Sequence, residues 1–151
     1  MAEGKMYLFG GIFSGAIAGS DLPKDYAQVG VHFVEVPEVY DPSEDSWSVL
    51  PAMSVEREAL AATLGKDGKI YVIGGANREK ESLDTVEVFD PKTGTWETLP
   101  PLPTPRRNLA TVTGRDGKIY ALGGENVTAD GKLNVLDVVE VYDPVTKKWD
   151  H

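Results

Sequence analysis

The sequence predicts an all-β fold of three tandem repeats, each a small antiparallel sheet. Three observations carry that expectation. The string Gly68-Lys69-Ile70-Tyr71-Val72-Ile73-Gly74-Gly75 returns as Gly117-Lys118-Ile119-Tyr120-Ala121-Leu122-Gly123-Gly124, and an earlier copy runs from Gly4 to Gly11. A second string, Val86-Glu87-Val88-Phe89-Asp90-Pro91 with Trp96, returns as Val139 to Pro144 with Trp149, and as Glu38 to Pro42 with Trp47. Turn formers are dense: 16 of the 151 residues are glycine and 10 are proline, the glycines well above the roughly 7% of ordinary proteins. Self-similarity at a period of about 50 residues marks a repeat architecture. Such heavy punctuation suits many short strands better than a few long helices.

Within one repeat the elements follow in order. Strand A, Leu60 to Leu64 and again Leu109 to Thr113, is rich in small residues, as an inner strand crowded near an axis requires. Strand B runs from Lys69 to Ile73. Between A and B stands Lys66-Asp67-Gly68-Lys69, echoed by Arg115-Asp116-Gly117-Lys118. Asp-Gly between apolar runs predicts a hairpin with a type I′ turn, in which both central residues take positive φ. Strand C, Thr85 to Phe89, alternates, with Val86 and Val88 on one side and Glu87 and Phe89 on the other. Pro91 lacks an N–H and ends it. Gly94 suits a left-handed position in the next turn, and strand D, Thr95 to Leu99, carries Trp96. The double glycine closing strand B would let neighbouring backbone or an aromatic ring approach closely. The variable segment of each repeat lies between the double glycine and the Asp-Pro string. It is longest in the first repeat, roughly 12–36, where it includes Ile12, Phe13, Ile17, Asp21, Tyr26, His32 and Phe33. Long loops in compact domains tend to be functional or disordered, and this one is expected either to join a recognition surface or to fold over the edge of the first repeat.

Composition excludes several functions. The formal net charge is −9, with no Lys/Arg-rich run to attract nucleic acid or an anionic membrane surface. There is no cysteine, so disulfides, thiolate metal sites and cysteine nucleophiles are ruled out. The apolar stretch Met6 to Gly19 is too short and too broken by glycine to span a bilayer, and it lacks the basic flank of a signal peptide; the cytoplasm is favoured on that ground. The two histidines, His32 and His151, are far apart and outside any metal-ligand spacing. The double glycines are not followed by a helix, so they are not a dinucleotide fingerprint. No cofactor or metal is expected.

Together these strings resemble the kelch repeat, over essentially the whole chain. The resemblance implies β-propeller blades, about 4–50, 51–99 and 100–151. Propellers of that family usually have six blades. Their B–C and D–A loops share one face around the channel mouth, and most bind proteins or peptides there. A minority are enzymes, among them galactose oxidase and bacterial sialic-acid mutarotases. Two departures stand out. The first repeat has no strand A, and three blades fall short of the four to eight of a closed propeller. A homodimer closing six blades about a two-fold axis is therefore expected. A truncated or engineered unit whose role is self-assembly remains the alternative.

The chain is expected to be a binding module and not an enzyme, with protein or peptide ligands held on the B–C and D–A loop face. Arg57 and Arg106 stand at equivalent positions before strand A, and Arg107 adjoins the second where the other repeat has Glu58. The resemblance places the recurring arginine near the channel mouth, and a guanidinium fork suits a carboxylate. Asn77 and Arg78 follow one double glycine, and Glu125 and Asn126 another, at loop positions that touch ligands in kelch domains. Glu38, Glu87 and Glu140 recur in strand C and are expected to serve packing. A sugar-processing enzyme resembling the mutarotases, with Glu58 moving protons, is the remaining alternative. Asn126-Val127-Thr128 fits a glycosylation acceptor but has no secretory context.

Overall fold

A computed structural model describes residues 4–10, 12–15, 30–33 and 36–150. Among them every regular element is a strand and every pairing between strands is antiparallel. Three sheets follow the repeats. The first has three strands, β1 (Met6–Leu8), β4 (Glu38–Asp41) and β5 (Ser46–Val49), in the order β1-β4-β5. The second has four, β6 (Ala61–Leu64), β7 (Ile70–Ile73), β8 (Val86–Asp90) and β9 (Thr95–Leu99), in sequence order. The third repeats that plan with β10 (Ala110–Thr113), β11 (Ile119–Leu122), β14 (Val139–Asp143) and β15 (Lys148–Asp150). Two hairpins rise from the double glycines: β2 (Ile12–Gly15) with β3 (Gly30–Phe33), and β12 (Glu125–Val127) with β13 (Leu133–Val135). The first lies within the long insertion. Ile17, Asp21 and Tyr26 fall outside the described residues, as does His151.

The A–B turn corrects the expected type. Gly68 N–H donates to Gly65 C=O (3.1 Å) and Gly65 N–H to Lys69 C=O (2.8 Å). Gly68 alone has positive φ, +79°, and Asp67 does not. The loop is thus a three-residue one closed by a glycine bulge, not a two-residue type I′ turn. Asp67 works through its carboxylate, which accepts from Lys69 N–H at 3.1 Å and from the Tyr71 hydroxyl at 2.8 Å. Asp116 and Tyr120 repeat this at 2.9 Å. The C–D turn is left-handed where expected, with φ +68° at Gly94, and Asp45 and Lys147 take the same conformation in the other two repeats.

Alternation along the strands sends each sheet's two faces to different neighbours. Tyr71, Ile73, Val86 and Val88 face the third sheet, where Ile119, Ala121 and Tyr142 complete one buried cluster. Ile70, Val72 and Phe89 face the first sheet, and Tyr7, Phe9 and Trp96 pack with them. The tryptophans of the second and third sheets also tie each of these sheets to the one before it. Trp96 Nε1 donates to the Pro51 carbonyl and Trp149 Nε1 to the Pro100 carbonyl, both at 2.8 Å. Inner strands of successive sheets lie side by side, Thr113 Oγ1 donating to Leu64 C=O at 2.8 Å. The double glycine seals the joint. Gly74 and Gly75 have φ of +64° and +111°, and a Cβ there would come within 2.5 Å of the Arg106 carbonyl oxygen and 2.6 Å of that of Glu58. Backbone therefore passes where any other residue would carry a side chain.

Candidate functional site

The D–A and B–C loops meet at one end of the sheets, as the resemblance implied. Glu58 and Ala76 form an antiparallel bridge in the second repeat, and Arg107 and Glu125 form the equivalent bridge in the third. Gly75 N–H donates to Arg106 C=O at 2.9 Å, which links the two repeats across this end.

The structure places Arg57 and Arg106 beneath that surface, and this corrects their expected role. Both are fully buried. Arg57 pairs with Glu87 and donates to the Gly74 and Thr85 carbonyls at 3.2 and 2.9 Å. Arg106 pairs with Glu140 at 2.8 Å and donates to the Thr104, Gly123 and Val138 carbonyls, each at 3.1 Å. Glu87 also accepts from Ser54 N–H, and Glu140 from the Thr104 hydroxyl. Burial pulls the Arg57 pKa below the usual guanidinium value, opposed by the Glu87 charge and hydrogen bond. A buried guanidinium must find carbonyls and a carboxylate to replace water, and these two find them within the framework. They hold the double glycine, strand C and the D–A loop in register and present nothing to a ligand. Glu87 and Glu140 have the packing role expected of them; Glu38 is exposed.

What remains accessible is a cluster in the third repeat. The Arg107 and Glu125 side chains are 26% and 22% exposed and meet at 3.1 Å through Arg107 Nε. Asn108, held in a left-handed conformation at φ +53°, donates from Nδ2 to the same Glu125 oxygen at 3.0 Å. Asn126 Nδ2 donates to the Pro105 carbonyl (3.2 Å), and its side-chain oxygen accepts from Asn134 Nδ2 (3.1 Å). Arg107 thus uses its inner nitrogen on Glu125, while its fork end meets no partner among the described residues. In the second repeat, Asn77 Oδ1 accepts from Glu79 and Lys80 N–H at 3.0 and 2.8 Å and so shapes its loop; Arg78 is exposed on that loop. The structure therefore does not gather the six candidate residues into one site: two are framework, Asn77 builds a turn, and Arg107 and Asn126 share the β12 end. Asn108 and the β12–β13 hairpin were missed. The Asp130-Gly131 pair between Val127 and Leu133 was a hairpin signal for the latter. No group of three or more His, Cys, Asp or Glu side chains suited to a metal occurs among the described residues.

Comparison with known proteins adds the following. A family model described as the Kelch motif matches residues 59–103 and 106–151, more than half of the chain. The N-acetylneuraminate epimerase of Pasteurella multocida (strain Pm70) is 30% identical over 78 residues, which cover 51% of this chain and 18% of that protein. The solved structure of YjhT superposes with a TM-score of 0.64 at 21% identity, over 80% of this chain and 47% of that one. A fungal alcohol oxidase in complex with copper gives a TM-score of 0.59 at 24% identity, over 76% of this chain and 23% of that one. The two structural likenesses establish an all-β, propeller-type fold. The chain spans less than half the length of each of these proteins. The expectation that it is not an enzyme is overturned, because an epimerase stands among its relatives. The physical reason is that a framework of recurring strands is indifferent to what its loops do, so missing histidine and cysteine motifs do not exclude catalysis.

Proposed function

The chain belongs to the kelch-motif family, and from that premise we propose that it contributes a ligand-recognition face on which Arg107 takes a carboxylate of the bound molecule. One observation carries this. The two complete repeats share their buried arginine, its glutamate and the double glycine, yet differ at the half-buried position beside them, Glu58 bridging Ala76 in one and Arg107 bridging Glu125 in the other. Residues that recur serve the framework. Where an accessible charge breaks the repeat, the recurring framework gives no reason for it, and binding surfaces of repeat proteins are built from such positions. Glu125, itself fixed by the Asn108 side-chain amide, holds the Nε side of the guanidinium, which leaves its fork available to an incoming anion. A carboxylate of an acidic protein or peptide segment meets this requirement, and so does that of a sugar acid.

The test is calorimetric titration of N-acetylneuraminate and of a glutamate-rich peptide into the chain and into Arg107→Glu. Affinity for whichever ligand binds falls roughly 10- to 100-fold, the worth of a charge-assisted hydrogen-bonded contact, while loss of the partly exposed pair with Glu125 lowers the melting temperature only slightly. Equal affinities of the two proteins would sink the assignment.

The epimerase relative favours a second reading, in which the same face takes part in processing a sugar acid, with Glu58 or Glu125 as proton carrier. Conversion of N-acetylneuraminate by the chain, lost in Glu125→Gln, is the expected result; no conversion by the chain under any condition of assembly removes this reading.

A further inference from the structure

The bridge between Arg107 and Glu125 continues into the hairpin beside it. Glu125 stands opposite Arg107 on one side and opposite Val135 of β13 on the other, and Val127 stands opposite Leu133. Opposite residues of an antiparallel pair share a face, and residues two apart along a strand return to it. Arg107, Glu125, Val127, Leu133 and Val135 therefore lie on one face of a small three-stranded patch, and the Arg107–Glu125 ion pair is made on that face. Asn126 and Asn134 belong to the other face, where Asn126 Nδ2 reaches the Pro105 carbonyl. The asparagine face is thus the one turned to the D–A loop, and the aliphatic face is turned away from it. Leu133 and Val135 are 57% and 76% exposed there. Joining one repeat to the next does not call for these side chains. The second repeat is packed against a sheet on either side, yet the segment that follows its double glycine, Ala-Asn-Arg-Glu-Lys-Glu-Ser over residues 76–82, has no aliphatic side chain beyond that of Ala76.

We propose that this face binds an extended peptide segment of a partner protein that carries one acidic residue and, two residues on, an aliphatic side chain the size of leucine. The carboxylate goes to Arg107, the reading on which this assignment rests, and the aliphatic side chain goes to the ledge of Leu133 and Val135. The spacing fits. Neighbouring strands are about 4.8 Å apart, which sets the Arg107 and Val135 backbones roughly 10 Å apart. Arg107 Nε donates to Glu125, and this draws the guanidinium toward β12. The gap left to the ledge approaches the roughly 6.8 Å between alternate side chains of an extended peptide. Charge limits the ligand to a single acid. Glu125 stands between the two anchors, and the chain carries a net charge of −9, so a second carboxylate in the segment is repelled. A sugar acid offers the carboxylate without the aliphatic group and leaves the ledge unused.

The probes are acetyl-Gly-Glu-Ser-Leu-Gly-amide, the same peptide with serine in place of leucine, and N-acetylneuraminate. Each is titrated into the 151-residue chain, into Arg107→Glu, and into a chain with both Leu133→Thr and Val135→Thr, while methyl resonances are followed by NMR. Threonine is a good strand former, and both positions are exposed, so the hairpin persists in the double variant. Saturable binding of the leucine peptide is expected, with the Leu133 and Val135 methyl signals moving. The serine peptide on the parent chain, and the leucine peptide on the double variant, should each bind roughly 3- to 10-fold more weakly. Arg107→Glu should weaken the leucine peptide roughly 10- to 100-fold. Loss in Arg107→Glu with none in the double variant would overturn the ledge and leave the carboxylate site standing. Loss in neither would remove both. Absence of saturable binding by the leucine peptide would overturn the assignment, and so would tighter binding of N-acetylneuraminate, which would give the face to a sugar acid.

Discussion

At the scale of single residues, the two buried ion pairs decide most. Arg106 and Glu140 meet at 2.8 Å with both side chains fully enclosed. Taking such charges out of water costs several kcal/mol per ion, which their attraction and hydrogen bonds must offset. Removing one partner alone is the damaging change. Arg106→Met is expected to lower stability by about 3–5 kcal/mol, and Arg106→Met combined with Glu140→Met to cost far less than the two single changes added. Urea unfolding of the three variants measures this. Both arginines were legible in the sequence as recurring residues, and so were Glu87 and Glu140. Their pairing was not, because partners some 30 residues apart are joined only by the folding of strand C beside the D–A loop. The recurrence itself pointed the right way. A charge that returns in every repeat is answering something that also returns, whereas Arg107 has Glu58 as its counterpart and so answers something local.

At the scale of elements, the tryptophans of strand D provide the sharpest contrast. Trp96 donates to the Pro51 carbonyl and packs edge-on against Phe9 with ring centres 5.8 Å apart. Trp47, its counterpart in the first sheet, is 54% exposed and touches Tyr40 of its own sheet. Trp96→Phe is expected to destabilise by about 1–2 kcal/mol, combining a lost hydrogen bond with lost apolar area. In the monomeric chain, Trp47→Phe should fall within about 0.5 kcal/mol of the parent. Thermal or urea unfolding of both tests the pair, and equal costs would contradict the packing described. Strand positions were well legible here, since period-2 alternation and Asp-Pro stops fix them locally. The A–B turn was less so. Asp-Gly signals a hairpin, but whether the aspartate supplies its backbone or its carboxylate depends on Tyr71, four residues further on. The β12–β13 hairpin went unread because it sits where repeats diverge and self-similarity offers no help.

At the scale of the whole molecule, two sheet faces remain uncovered. The first sheet exposes Met6, Leu8, Trp47 and Val49. The third opens a shallow cavity of about 360 Å³ bordered by Tyr120, Val141 and Lys148. Inside the chain, faces of these two kinds pack together twice over. We propose that two copies join by the same contact at both ends, closing six blades. Light scattering on the purified chain should then give twice 16.4 kDa, and Trp47→Glu should return it to the monomer mass. A monomer at all concentrations, for the parent chain, would end the proposal. The propeller class was legible from the repeat alone. How many blades close is not written in any one repeat, because each encodes its own sheet and the joint to its neighbour.

That joint carries a consequence for how such a chain changes over generations. The second sheet gives Tyr71 and Val88 to the neighbour after it and Phe89 and Val72 to the neighbour before it. Every unit therefore bears plug and socket at once, and a copied stretch of about 50 residues arrives already able to fit between existing units. Growth by duplication needs no new interface. It leaves the exposed loops of the added copy free to drift toward a different specificity while the buried arginine, its glutamate and the glycines stay fixed.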